Sequence, residues 1–216
     1  MSFYQTLQEQ TAGERARLLA APMISRALAG TLPLDSYLAF LEQAYHHVRH
    51  TVPLLMACGA RIPERLEWLR GAIAHYIEEE YGHQEWILDD IRACGGDADA
   101  IRNAQPGLPV ELMISYVYDR IARHNPVSFL GMVQVLEGTS VTVATRAAGC
   151  IQNSLGLPDS AFSYLTSHGS LDIEHIDFFE KLVNRLDEPD DQAAVTHTAR
   201  VVYRLYGDMF YSLPLS

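Results

Sequence analysis

Residues 168–179 read HGSLDIEHIDFF, and as a helix this stretch places His168, Asp172 and His175 on one face, at i, i+4 and i+7. Continued in both directions by alternating steps of three and four, the same face collects Ala161, Leu165, Phe179, Leu182 and Leu186. Every other member of the stripe is apolar, which marks it as the core-facing seam of an α-helix. Three ionisable side chains in such a seam need compensation, because an isolated carboxylate or imidazolium is costly to bury. Two imidazoles and a carboxylate on successive turns could converge on a metal ion, which takes N and O ligands. A hydrogen-bonded His–Asp–His cluster would meet the same requirement.

Outward from this stretch the chain repeats the three- and four-residue spacing of apolar positions between Pro and Gly punctuation, and no period-2 strand pattern appears. The expected fold is all-α, a single domain over residues 1–216 with about seven helices. These are expected at about 3–20, 34–60, 63–94, 109–124, 126–155, 158–187 and 190–213, with ends good to a few residues. LPLDSY, IPERLE and LPDSAF read as helix starts, CGGD and LGLPD as stops. Pro53 is expected to kink the second helix rather than end it, since the apolar spacing continues on both sides.

The 216 residues, 48% of them hydrophobic, suffice for one sizeable core rather than two. With 27 acidic against 16 basic residues the formal net charge is −11, which argues against nucleic acid and anionic membrane surfaces as partners. The amino-terminal MSFYQTLQEQTAGERARLL has no apolar run behind a basic start, unlike a secretory signal. TVPLLMACGA falls far short of the roughly 20 apolar residues that cross a bilayer, and no transmembrane span is expected. Cys58, Cys94 and Cys150 are odd in number, widely spaced and without a CxxC pair, which suggests reduced, buried thiols in a cytoplasm.

Two further segments carry charge toward the core. In HYIEEEYGHQEWILDD, Glu80 and His83 are three apart and adjacent on a helix surface, with Ile73, Ile77 and Ile87 on the same side. Glu78, Glu85 and Asp89 fall away from it as a solvated face, and Glu79, four residues before His83, competes with Glu80 for the same role. Glu-x-x-His is the building block of dimetal sites in helical bundles. In NPVSFLGMVQVLEGTSVTVAT, Glu137 is the only charged side chain, so a helix buried on most sides must give it a partner or a proton. Together the three segments supply Glu80, His83, Glu137, His168, Asp172 and His175, three carboxylates and three imidazoles. That set suffices for two first-row metal ions with positions left open. Its residue types favour iron or manganese over a closed, Cys-rich structural zinc site.

The order Glu-x-x-His, then Glu, then His-x-x-x-Asp-x-x-His in an all-helical chain of this length resembles the heme-oxygenase-like diiron oxidases and oxygenases. YLAFLEQAYHHVRHTVPLL, EEEYGHQEWILDDI and YLTSHGSLDIEHIDFFEKLV are similar to the same group over nearly the whole chain, HGSLDIEH being the most specific match. The resemblance implies a helical bundle of the heme oxygenase type and two loosely held Fe(II) ions on Glu80, His83, Glu137, His168, Asp172 and His175. It also implies dioxygen activation directed at a small organic acid or amine, by oxidative decarboxylation, N-oxygenation or carbon–carbon cleavage. An external electron donor and a homodimer are further expectations. Some members take another carboxylate from upstream of the first His; here Tyr76 stands seven residues before His83, which does not fit that variant. Gly169 and Ser170 inside the ligand-bearing segment fit weak metal retention, since Gly costs about 1 kcal/mol in a helix interior relative to Ala.

Three rival readings keep the fold. A thiaminase-II-like hydrolase needs a Cys nucleophile near Glu137 and a Glu in the last helix, yet Cys150 lies several turns on and no Glu follows Glu188; a metal-free oxidase resembling pyrroloquinoline-quinone synthase shares that scaffold. Heme oxygenase proper would draw an axial ligand from His46, His47 or His50, which read instead as helix-surface or pocket residues. A non-catalytic ligand-binding protein is the third.

Overall fold

The computed structural model describes the backbone throughout and the side chains of residues 1–167 and 176–216. The α-helices in chain order are α1 (Phe3–Gln10), α2 (Ala12–Leu19), α3 (Pro22–Leu28), α4 (Leu34–Val48), α5 (Thr51–Arg61) and α6 (Glu67–Glu80). They continue as α7 (His83–Ala93), α8 (Ala98–Asn103), α9 (Leu108–Arg123), α10 (Phe129–Leu155), α11 (Ser163–Val183) and α12 (Pro189–Ser212). Single 3-10 turns precede α6, α10 and α11. The all-α expectation holds; the number of helices is larger than the periodicity suggested, because three expected helices are interrupted and the short α3 and α8 were not anticipated.

The interruptions have local causes. Thr11 closes α1 by donating its hydroxyl to the Leu7 carbonyl at 2.7 Å, and the chain restarts as α2. The expected kink at Pro53 is instead a break at Arg49–His50. Pro53 then falls in the first turn of α5, where its missing N–H leaves no helical bond unmade. The third break, at Tyr81–Gly82, lies between two candidate ligands and is taken up below. Elsewhere the stops follow the residues: α10 ends on Gly156 in the left-handed region at φ +65°, and α12 begins at Pro189 with Asp190 and Asp191 in its positive first turn.

α10 runs through the middle of the bundle, packed by α11, α12 and α3. Pro126–Leu155 is long and apolar enough to cross a membrane by length and composition alone, a criterion that a buried core helix also meets; 61% of its apolar 18-residue window is buried in the bundle. At Gly131 the α12 backbone comes so close that an added Cβ would lie 2.5 Å from the Val195 carbonyl oxygen. The described members of the opening stripe, Ala161, Leu165, Phe179, Leu182 and Leu186, are all buried, as their spacing requires. A buried Asp191 takes both guanidinium nitrogens of Arg65 at 2.7 and 2.9 Å and the Asn125 amide at 2.8 Å. This clamp ties the start of α12 to the turns before α6 and α10.

Candidate metal centre

Glu80 is the last residue of α6 and His83 the first of α7. The expected continuous helix from 63 to 94 is therefore corrected: Tyr81 is extended, with φ −67° and ψ 116°, and Gly82 is left-handed at φ +94°. Glycine adopts that conformation at no steric cost, which is the local reason the break falls here. The pairing inferred from helical spacing survives by a different route, across a joint rather than along a helix face. Glu80 Oε2 lies 3.2 Å from His83 Nδ1, and both residues are buried, 9% and 4% exposed. The indole of Trp86 stacks on the His83 ring at 3.9 Å between centroids and fixes its plane. Glu79, the rival of Glu80, points to the half-exposed His75, whose Nε2 is 3.4 Å away.

A cavity of about 130 Å³ opens beside this pair, and Glu80 and Glu137 both line it. The cavity is walled by α3, α4, α5, α6, α10, α11 and α12, with Met23, Ile24, Leu55, Met132, Val133 and Phe210 among its apolar surfaces. Its polar lining is sparse: besides the two glutamates there are Tyr37, His47, Thr51, Tyr76, Thr139, Ser140, Tyr164 and Tyr206. Several of these already serve the fold. Tyr37 donates its hydroxyl to the Ala161 carbonyl at 2.8 Å, and Thr139 donates to the Val135 carbonyl at 2.6 Å. Neither Lys nor Arg occurs among the described lining residues, which leaves His47 as the one side chain there able to carry positive charge.

Glu80, His83 and Glu137 are thus brought to one region of the bundle, although His83 stands behind Glu80 and does not itself line the cavity. His168, Asp172 and His175 lie outside the described side chains. Among the described residues no three His, Cys, Asp or Glu side chains converge as a complete metal site. The donors that are described fit ferrous iron chemically: carboxylate oxygens and an imidazole, withdrawn from water, where a cation offsets the cost of keeping carboxylates ionised.

Sequence reasoning gave two residues here, Tyr76 and Asp90, no part in the site. Tyr76, noted only because it is not a carboxylate, is buried against the Phe178 ring at 5.4 Å and lines the cavity four residues before Glu80. His47, read with His46 and His50 as a helix-surface or pocket residue, is buried in the cavity wall, edge-on to Tyr206 at 5.6 Å. Asp90, given no role beside the solvated Glu78, Glu85 and Asp89, is fully buried at 0% exposure. Its only sequence signal is the apolar company of Ile87, Leu88 and Ile91.

The fold is compatible with the TenA-like reading, but a cysteine nucleophile finds little support in this geometry. None of the three cysteines lines the cavity; burial pushes the Cys58 thiol up to about 12, and burial with the nearby Asp90 carboxylate pushes Cys94 up to about 11. A thiol so far from its thiolate is a poor nucleophile near neutral pH. The cavity volume is close to that of an engineered cavity of about 150 Å³ that holds benzene.

Comparison with known proteins agrees with this architecture. A domain of unknown function with a heme oxygenase-like fold from Shewanella denitrificans superposes with a TM-score of 0.86 at 20% identity, over 97% of this chain and 90% of that one. A TenA homolog from Pseudomonas syringae pv. tomato gives 0.81 at 11% identity, over 98% and 91%. Heme oxygenase from Leptospira interrogans gives 0.78 at 14% identity, over 99% and 100%. At these identities the likeness is one of fold. No curated protein matches the sequence. Residues 38–207 match a family described as iron-containing redox enzyme, a span that holds all six candidate ligands.

Proposed function

Because the chain belongs to the family of iron-containing redox enzymes with a heme oxygenase-like fold, we propose that it is a non-heme, dioxygen-dependent oxidase or oxygenase using two ferrous ions. The observation that carries the reading is the opening of two carboxylates from separate helices, Glu80 and Glu137, onto one otherwise apolar cavity. Glu80, His83 and Glu137, with His168, Asp172 and His175 of α11, are the residues that would hold the metal. When bound, ferrous iron supplies the electrons for dioxygen reduction.

The chain's own residues do the rest. The aliphatic walls exclude water, which strengthens the hold of the glutamates on any cation between them. Trp86 and Glu80 orient the His83 imidazole. The lining also narrows the substrate. A zwitterionic amino acid needs charged anchors, and His47 is the single cationisable side chain among the described lining residues. A mostly apolar acid or amine with a body of about benzene size matches both the walls and the volume. The reading further includes a homodimer, on the strength of the sequence resemblance, and an external electron donor. It also includes the cytoplasm, where three free cysteines are at home.

Trp86 provides the test. In a Trp68→Phe background, which leaves Trp86 as the sole indole, anaerobic titration with Fe(II) should quench fluorescence as the metal reaches His83. His83→Ala and Glu137→Ala should lose most of the quenching and of the bound iron while keeping their helical content. Stoichiometric iron in both variants would overturn the ligand assignment. Iron binding with no oxygen uptake across a panel of short aliphatic and aromatic acids and amines would favour a binding protein.

A further inference from the structure

α11 begins with a deficit. Its N-cap position is Phe162, which has no side-chain acceptor for the free N–H groups of the first turn. The acceptor comes from another helix. The Asp90 carboxylate of α7 accepts the Ser163 N–H at 2.8 Å on one oxygen and the Tyr164 N–H at 2.9 Å on the other. It is the only fully buried carboxylate among the described residues, the next being Asp191 at 1%. The joint is braced from a third side: the Tyr37 ring of α4 stacks on Phe162 at 5.3 Å between centroids.

The position of this contact matters. Asp90 lies seven residues after His83, two turns along the same helix and so on nearly the same face, about 10 Å of axial rise. Ser163 and Tyr164 lie about one turn before the His168–His175 segment, and Tyr164 with Leu165 lines the cavity. One carboxylate thus grips, at a single point, the helix carrying His83 and the start of the helix carrying the last three candidate ligands. Resting on the metal reading above, we infer that Asp90 is a positioning residue of the metal centre. By capping α11 in trans it fixes the axial register of α11 against α7, and with it the spacing of donors that belong to different helices.

The test uses the full chain, Co(II) as an air-stable probe with ligand-sensitive visible absorption, and three variants: Asp90→Ala, Asp90→Asn and, as a structural control, Asp191→Ala. Asp90→Ala should weaken Co(II) binding about tenfold or more, the range seen when groups that orient metal ligands are removed, and should alter the absorption bands. Asp90→Asn, which retains one acceptor oxygen, should recover part of both. Asp191→Ala removes a comparably buried carboxylate whose partners, Arg65 and Asn125, belong to neither α7 nor α11, and should lower the melting temperature while leaving affinity and bands near wild type. Wild-type affinity and spectrum in Asp90→Ala, or an equal loss in Asp191→Ala, would overturn the inference.

Wild-type protein that binds no Co(II) would instead sink the metal reading and the positioning role with it. Amide exchange would then judge the cap alone: Asp90→Ala must speed exchange at Ser163 and Tyr164, and unchanged rates there would show that the cap does not hold α11.

Discussion

Gly131 is the position where the packing of α10 can be tested most sharply. A Cβ placed on it would lie 2.5 Å from the Val195 carbonyl oxygen, 2.6 Å from the Ala199 nitrogen and 2.9 Å from the Thr198 Cβ. The first two are backbone atoms that no rotamer change can move, so Gly131→Ala must push α10 and α12 apart by roughly 0.5–1 Å to restore van der Waals separation. Overpacking of this kind costs about 1–3 kcal/mol and sometimes more, while the gain in helix propensity returns about 1 kcal/mol. With two rigid backbone contacts at once the cost belongs at the top of its range, and a net loss of about 2 kcal/mol is expected. For a chain of 216 residues that is a fall in melting temperature of about 4–8 °C. Gly149, on the same helix but with nothing within 4 Å of the place an added Cβ would take, is the paired case. Gly149→Ala should gain about 1 kcal/mol and raise the melting temperature by about 2–4 °C. The sites are 18 residues, about 27 Å, apart, so the double variant should show the sum of the two shifts. Thermal melts followed by circular dichroism and calorimetry decide the matter. A Gly131→Ala protein as stable as wild type would refute the close approach of the two helices.

Three other outcomes follow from the same structure. Gly82→Ala places a side chain at φ +94°, which should cost about 1–2 kcal/mol in stability and weaken metal retention, because Glu80 and His83 meet across that residue; calorimetry and iron quantitation check both. Burial pushes the Asp90 carboxyl up to about 6, outweighing its hydrogen bonds to Ser163 and Tyr164. Since the folded value exceeds the unfolded one, the native state keeps a proton that the unfolded chain has lost between about pH 4 and 6. Stability should therefore decline by on the order of 2 kcal/mol as pH rises through that window, and urea melts of Asp90→Asn should lack this decline. Asp191 behaves oppositely. Burial raises its carboxyl, but Arg65 and Asn125 together hold it below the usual range, so its contribution is present at neutral pH and lost only as pH falls below about 4. Asp191→Ala should cost about 2 kcal/mol at pH 7, read as a fall of about 4–8 °C in melting temperature.

The helical class and the core seam of α11 were legible because a 3.6-residue period leaves its mark on apolar spacing, and Ala161, Leu165, Phe179, Leu182 and Leu186 are buried as that period demands. The breaks were not legible. Apolar spacing runs on through residues 49–50 and 81–82, and a single Gly in EEEYGHQEW is a weak signal beside the strong helix formers around it. For the same reason Glu80 and His83 were paired correctly on an incorrect premise. α3 and α8, of seven and six residues, are too short to show a period at all. Asp89 and Asp90 look alike in sequence, yet neighbouring helical positions point about 100° apart, and one is exposed while the other is sealed in the core. Only knowledge of which helix packs on that face separates a surface acid from a cap.

The cavity also sorts the protein's sulfur. Cys58 is shut away with its proton engaged by the Pro126 carbonyl at 3.2 Å, whereas Met23 and Met132 line the chamber itself. A thioether needs no ionisation before it accepts an oxygen atom, so under the proposed oxygenase function misfired turnovers would be recorded as sulfoxides on those two residues while the deep thiol stayed reduced. The interior would then carry its own wear gauge, legible by peptide mass in aged preparations and placed where the hazard arises.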